Sequence, residues 1–190
     1  MRTIEHSRTT KETQISVKLN LDGSGVTHVS TGIAFFDHLV RTLSTHSKID
    51  LTIEGKGDLR HHIVEDVGIT LGEAFRKALG DSRGIQRFGY AIIPMDDALT
   101  LAAVDLATRP YTKIDLKIVG DVIEDTTRED ILHFLESFAL SLRANLHIVV
   151  EYGSNDHHKV ESAFKALAFS LRQAVSSTGS NEIPSAKGII

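Results

Sequence analysis

One short motif occurs twice in this sequence, and its residue types are those that bind metal ions. Residues 61–65 read His-His-Ile-Val-Glu, and residues 157–161 read His-His-Lys-Val-Glu. In a chain of this composition a single His-His-x-x-Glu would arise by chance only about 0.03 times, so two copies argue against accident. The copies, named here the first and second cassette, lie 96 positions apart in a chain of 190 residues. The sequence therefore predicts an internal duplication with one cassette in each half.

The spacing within a cassette predicts which side chains can share an ion. On a helix, residues four apart lie on one face, so the first His and the Glu of each cassette can hold the same metal. The second His lies about 100° further round the helix and cannot easily reach that ion. Each cassette therefore predicts one His/Glu pair and one odd His that needs a second metal.

A further His precedes each cassette at a similar distance. His38 lies in an amphipathic run at 33–43, and His133 lies in a comparable run at 131–142. We expect each ion to take a His/Glu pair from one cassette, the odd His from the other, and an upstream His, either His38 or His133. The predicted ligands are His38, His61, His62, Glu65, His133, His157, His158 and Glu161.

These ligand types limit the choice of metal. The chain has no Cys, which excludes thiolate sites and disulfides. Imidazole combined with carboxylate suits Mn, Fe, Co, Ni or Zn, with room left for substrate or water.

The segments around the cassettes predict the elements that position them. Alternating apolar residues at 49–53 and 146–150 predict a strand before each cassette, and Gly residues then close each strand. After each cassette the apolar positions fall at helical spacing, so both cassettes should open a helix. Further helices are predicted after Gly32 and near 128–143.

Further strands are predicted in the rest of each half. Residues 3–21 are rich in Thr and β-branched residues, with strict apolar alternation at 15, 17, 19 and 21. A turn at 22–25 then leads to 26–29, which predicts a hairpin with one buried face. Strands near 87–93, 98–106 and 111–118 repeat this pattern. Residues 80–84 form the predicted linker, so the halves are 1–84 and 85–190 within one compact unit. The predicted architecture is α+β, with helices on one side of the sheets and pseudo-twofold symmetry.

Composition excludes several classes of function. The net charge of −4 provides no basic surface for nucleic acid. No apolar run approaches the roughly 18 residues of a membrane span, and the N-terminal residues lack the apolar core of a leader peptide. We therefore expect a cytoplasmic protein without nucleic-acid or membrane partners.

A set of cations suggests an anionic substrate. Arg and Lys beside Ser are suited to binding phosphate through forked or point-charge donors. By spacing alone this indication is weak, because most Arg and Lys side chains are solvated. The candidate phosphate residues are Arg87, Arg109, Lys165, Ser185 and Lys187.

Several motifs together resemble the imidazoleglycerol-phosphate dehydratase family over nearly the whole chain. They are Phe35-Phe36-Asp37-His38, Gly57-Asp58-Leu59 before the first cassette, Asp105-Leu106-Ala107-Thr108-Arg109-Pro110-Tyr111, Gly153-x-Asn155 before the second cassette, Phe164-Lys165-Ala166 and Pro184-Ser185-Ala186-Lys187-Gly188. Three features depart from the family pattern: a shortened loop before His61, Thr108 where Gly is common, and Ala186 where Ser or Thr is common.

The resemblance implies a hydro-lyase of histidine biosynthesis that converts imidazole glycerol phosphate to imidazole acetol phosphate with two Mn ions. It implies a fold of duplicated β-α units like the second domain of ribosomal protein S5, in a 24-subunit homo-oligomer with active sites between subunits. One ion is then expected among His38, His62, His157 and Glu161. The other is expected among His61, Glu65, His133 and His158.

The resemblance also implies which residues touch the substrate, with Glu12 as the catalytic acid/base. The implied substrate-binding residues are Glu12, His38, His46, Arg87, Arg109, His157, Lys165, Ser185 and Lys187. Two other classes remain open on the residues alone. A di-metal hydrolase would use the same ligands on a phosphate ester, and a non-catalytic metal-binding shell protein would bind metal without needing Glu12, Arg87 or Arg109.

Overall fold

A computed structural model describes residues 2–188, and the cassettes lie where helices begin. The strands and helices are β1 Thr3–Thr9, β2 Thr13–Asn20, β3 Thr27–Ser30, α1 Ala34–Ser47, β4 Asp50–Gly57, α2 Arg60–Leu79, β5 Phe88–Met95, β6 Ala98–Asp105, β7 Tyr111–Asp115, β8 Val122–Ile123, β9 Thr126–Thr127, α3 Arg128–Leu142, β10 Asn145–Tyr152 and α4 Asp156–Val175. The first cassette opens α2 and the second opens α4, as predicted. The short β8–β9 hairpin was not predicted.

The two halves repeat one topology. The first sheet has the order β1-β2-β4-β3, and the second has the order β5-β6-β10-β7. In each sheet the first two pairings are antiparallel and the last is parallel. The predicted duplication and the α+β class are confirmed. The boundary at residue 84 stays a prediction, because one apolar core runs through both halves.

The turn at 22–25 does not make the predicted hairpin. β2 pairs with β1 and β4, whereas β3 pairs parallel to β4 on its other side. The reason lies in Asp50, whose carboxylate accepts hydrogen bonds from the backbone N–H groups of residues 24–26 at 2.8–3.0 Å. These bonds hold the loop at the start of β4, so that β3 runs parallel to β4, and the hairpin of the first half is β1–β2 instead.

The helices form a layer between the two sheets. Helices α1 and α2 pack on the first sheet, α3 and α4 pack on the second, and the layer closes through α2–α3 and α1–α4 contacts. Alternation along β2 explains the inner face, since Ile15, Val17 and Leu19 are buried while the residues between them are exposed. Phe36 and Phe134 meet edge to face across the helical layer, with 5.1 Å between ring centroids.

Two glycines allow α2 and α3 to approach closely. A Cβ on Gly68 would lie 2.9 Å from the Phe134 carbonyl oxygen, and one on Gly72 would lie 2.5 Å from the Phe138 carbonyl oxygen. This contact brings the start of α2, with the first cassette, beside α3, with His133. None of the helices within residues 2–188 is long and apolar enough to cross a membrane.

Candidate metal centre

His38, His157 and Glu161 form one group of candidate metal ligands. A ligand atom from each lies within 4.8 Å of the others. The Oε2 atom of Glu161 is 3.4 Å from Nε2 of His38 and 3.2 Å from Nε2 of His157. The packing of α1 on α4 produces this arrangement. Asp125 fixes the start of α1 by accepting hydrogen bonds from the backbone N–H groups of Ala34 and its neighbour.

His61, Glu65 and His133 form a second group of the same composition. Their ligand atoms also lie within 4.8 Å of one another. Nε2 of His133 is 3.4 Å from Oε1 of Glu65, and the rings of His61 and His133 have centroids 4.7 Å apart. The close α2–α3 contact positions this group, because His61 and Glu65 share one face of α2.

Both groups have dimensions suited to a first-row divalent metal. Ligand atoms about 2.1 Å from an ion are separated from each other by about 3.4 Å in a tetrahedral shell. The N–O separations of 3.2–3.4 Å within the two groups agree with this value. The donors are imidazole and carboxylate, a set that suits Mn, Fe, Co, Ni and Zn and contains no thiolate.

Each group joins a His/Glu pair from one half to the upstream His of the other half. Within one chain, His38 therefore lies beside the His/Glu pair of the second cassette, and His133 lies beside the pair of the first cassette. The odd His residues do not join either group. His62 places Nδ1 2.8 Å from Asp58, and His158 places Nδ1 2.6 Å from Asp97. One chain thus brings together three of the four ligands expected for each ion.

The electrostatics of Glu161 favour its ionised form. Burial opposes ionisation, but Lys165, His38 and His157 outweigh it and hold the pKa of Glu161 below its ordinary value. The Lys165 ammonium lies 2.8 Å from Oε1 of Glu161. Lys165 therefore contacts a candidate ligand carboxylate instead of the other expected phosphate residues.

His46 lies close to the same charges. Burial, followed by the cations Lys165 and Lys48, lowers the pKa of His46. Its ring packs on Phe169, with 5.8 Å between centroids. His46 is therefore a neutral, half-buried imidazole near α4, a placement that its sequence context alone did not reveal.

The other expected phosphate residues line one pocket. Arg87, Arg109, Ser185 and Lys187 surround a cavity of about 410 Å³. The pocket combines Arg and Lys donors with a hydroxyl, which suits an anion. Arg87 is already held, because its guanidinium forms two hydrogen bonds to Asp105 at 2.7 and 3.1 Å.

This pocket lies far from the group that contains His157. The backbone N–H of Arg87 donates to the Ala174 carbonyl, so the pocket adjoins the carboxyl end of α4. His157 stands at the amino end of the same helix, 17 residues earlier, which corresponds to about 25 Å at 1.5 Å per residue. A small phosphorylated imidazole cannot span that distance within one chain.

Glu12 lies in the turn between β1 and β2, next to the first cassette. Its Oε2 is 3.8 Å from Nδ1 of His62, and its carbonyl accepts a hydrogen bond from the backbone N–H of Asp58. A buried network supports this turn, in which Asp66 accepts hydrogen bonds from Thr13 and from Arg8. The side chain of Glu12 is thus exposed but firmly anchored at its backbone.

Sequence reasoning missed the carboxylates that contact the cassette histidines. Asp130 contacts His61 and Glu124 contacts His157, from positions far away in the sequence. No spacing rule links such residues to a cassette. Asp58 was visible only as part of a motif before the first cassette.

Comparison with known proteins places the chain in a family. The model of the family described as imidazoleglycerol-phosphate dehydratase matches residues 31–171. The chain belongs to the imidazoleglycerol-phosphate dehydratase family. The Methanothermobacter thermautotrophicus dehydratase is 49% identical, over 99% of this chain and 97% of that protein. The Phytophthora nicotianae dehydratase is also 49% identical over 97% of this chain, which spans 41% of that longer protein.

A solved structure supports the same assignment. The imidazoleglycerol-phosphate dehydratase of Pyrococcus furiosus, determined in complex with (S)-C348, superposes with a TM-score of 0.85 at 39% identity, over 97% of this chain and 99% of that one. The fold expected from the resemblance to this family of hydro-lyases is therefore confirmed.

Proposed function

We propose that this protein is a metal-dependent dehydratase that converts imidazole glycerol phosphate to imidazole acetol phosphate in the cytoplasm, as a step of histidine biosynthesis. The observation that carries the proposal is the pair of matched His-Glu-His groups in a member of this family. A metal ion that is held by three imidazoles and one carboxylate also suits a nitrogen ligand from the substrate, because the substrate ring is itself an imidazole. Manganese is the metal we propose.

The fourth ligand of each ion comes from another copy of the chain. His62 completes the group of His38, His157 and Glu161, and His158 completes the group of His61, Glu65 and His133. Two features support this: each chain assembles three ligands of a set, and the anion pocket lies about 25 Å from His157 along α4. A homo-oligomer with active sites between subunits satisfies both, and we propose the 24-subunit shell.

The bound ions would act as Lewis acids on the imidazole ring, supplying the acidity that the substrate's C–H bond lacks. The chain's own residues do the rest. Glu12 takes the proton from the carbon next to the departing hydroxyl. Arg109, Ser185 and Lys187 hold the phosphate, and Arg87, aligned by Asp105, supports them. Lys165, His46, His38 and His157 complete the substrate contacts.

The assay that tests this proposal separates three reaction classes. Purified protein is incubated with imidazole glycerol phosphate, with and without added Mn²⁺, and the ketone and free phosphate are both measured. Mn²⁺-dependent ketone without phosphate supports a dehydratase. Release of phosphate would indicate a di-metal hydrolase, and metal binding without either product would indicate a non-catalytic shell protein.

Mixed oligomers test the shared ligand sets. The variants His62→Ala and Glu161→Gln each remove one ligand from the set of His38, His62, His157 and Glu161. In a site shared between chains, the two removed ligands belong to different chains. If His62 comes from a neighbour, co-assembled oligomers of the two variants contain some intact sites and regain Mn²⁺ binding. Mixtures that bind no more Mn²⁺ than the separate variants would show that all four ligands come from one chain.

A further inference from the structure

All four cassette histidines are held by a carboxylate at the same ring atom. Nδ1 lies 2.7 Å from Asp130 in His61 and 2.8 Å from Asp58 in His62. In the second cassette, Nδ1 of His157 lies 3.1 Å from Glu124, and Nδ1 of His158 lies 2.6 Å from Asp97. A ring that donates its Nδ1–H to a carboxylate presents the lone pair of Nε2 outward.

The four carboxylates are not copies produced by the duplication. Asp58 precedes α2, but the position 96 residues later holds Ser154. Asp97 reaches His158 from the β5–β6 turn, Glu124 lies in the turn between β8 and β9, and Asp130 lies in the first turn of α3. One contact is therefore made four times by residues of different origin. Inheritance does not explain that repetition, whereas a common requirement for oriented rings does.

We propose that Asp58, Asp97, Glu124 and Asp130 are positioning residues, which fix the tautomer and the orientation of the cassette histidines so that the lone pair of each Nε2 is available to a metal. A carboxylate behind a ligating imidazole also makes that ligand more basic, and its loss weakens metal binding by about 10–100-fold. This inference rests on the proposed metal sites, but it assigns a role to residues outside both ligand sets.

Asp130 offers the sharpest test of the four. Its side chain is 9% exposed, compared with 54% for Asp58 and 60% for Glu124. It lies in the first turn of α3, where Thr127 caps the helix through the backbone N–H of Asp130. Since the cap uses the backbone, the carboxylate is free to hold His61. A buried carboxylate is costly unless it is paired, so this contact is well defined.

The experiment measures Mn²⁺ affinity instead of turnover. Free Mn²⁺ is followed by its EPR signal while wild type, Asp130→Ala and Asp130→Asn are titrated at neutral pH. We expect Asp130→Ala to bind Mn²⁺ about 10–100-fold more weakly at one of two sites. Asp130→Asn should lose less, because the amide oxygen still accepts the Nδ1–H. Asp121→Ala is the matched control, since Asp121 is 90% exposed and pairs only with Arg128 among the described residues.

The outcomes separate this inference from the proposed function. Wild type that binds no Mn²⁺ would overturn both. Wild type with two sites and an Asp130→Ala variant of equal affinity, even if less stable to heat, would overturn the positioning role alone. Asp97→Ala tests the same positioning role at His158. Unchanged Mn²⁺ affinity in that variant counts against the proposal in the same way.

Discussion

Glu12 has the weakest sequence signal and the most specific chemical role of the residues discussed. It lies 3.8 Å from His62 and projects from a turn anchored by hydrogen bonds to its backbone. If it is the acid/base, Glu12→Gln should keep the Mn²⁺ content and the oligomer while kcat falls by about 10²–10⁴. The measurement is kcat together with metal content on one preparation. Glu5→Gln, in an exposed strand position of the same hairpin, is the control.

The anion pocket makes a separate prediction at the residue scale. A contact to the phosphate exists in both the ground state and the transition state, so Arg109→Ala should raise KM far more than it lowers kcat. Arg172→Ala, an exposed Arg on α4, should change neither. Steady-state kinetics on imidazole glycerol phosphate decide the matter, and a wild-type KM for Arg109→Ala would remove that residue from the site.

Residue spacing predicted the His/Glu pairs, whereas the candidate phosphate residues came from residue types and the family resemblance, and neither source predicted the partners of these residues. The i, i+4 rule is local, so it could identify His61 with Glu65 before any fold was known. Asp130 reaches His61 only because α2 and α3 pack closely. The pair of Lys165 with Glu161, one turn away on its own helix, is by contrast a local i, i+4 contact. Contacts made through packing lie beyond such rules.

At the scale of elements, the α2–α3 contact depends on Gly72. Alanine normally stabilises a helix by about 1 kcal/mol relative to Gly. Here a new Cβ would lie 2.5 Å from the Phe138 carbonyl oxygen and 2.8 Å from Cβ of Ser141. We expect Gly72→Ala to lose about 1–3 kcal/mol of stability through overpacking. Thermal unfolding measures this, with Gly68→Ala as a milder comparison, and a more stable Gly72→Ala variant would contradict the close contact.

The contact between Asp50 and the loop at 24–26 leads us to expect a pH-dependent effect on stability. Backbone N–H groups of Ser24 and Val26, followed by Asn20 and Gly25, hold the pKa of Asp50 below its ordinary value of 3.8. A depressed folded pKa means that this stabilisation is complete above the unfolded pKa and is lost as pH falls through the folded one. Asp50→Asn should therefore be less stable than wild type at pH 7, and the difference should shrink as pH falls below about 4.

Urea unfolding at several pH values checks the Asp50 prediction. Glu151→Gln, an exposed carboxylate on β10, should show no such convergence with wild type. A constant difference between wild type and Asp50→Asn across the pH range would mean that the ionised carboxylate does not hold the loop. This loop also explains the wrong hairpin prediction, because turn residues at 22–25 indicate a change of direction but not which strand comes next.

At the scale of the whole molecule, the duplication places matching ligands at the boundary between the halves. The sequence could predict this symmetry because the cassettes repeat at nearly half the chain length. It could not predict the strand order, which follows from pairings that are distant in sequence. Each candidate metal group draws on both halves, so metal binding should also stabilise the arrangement of α1 on α4 and of α2 on α3.

If His62 and His158 serve sites in neighbouring copies, metal binding and assembly are linked equilibria, because each bound ion adds its binding free energy to the association of subunits. Chelated protein should then form smaller species than metal-loaded protein, and added Mn²⁺ should restore the original mass. Light scattering measures this directly. The double variant His62→Ala/His158→Ala keeps every three-ligand group intact, so its mass should no longer respond to Mn²⁺. Wild type that stays at full mass after chelation, and does not change on adding Mn²⁺, would refute the linkage.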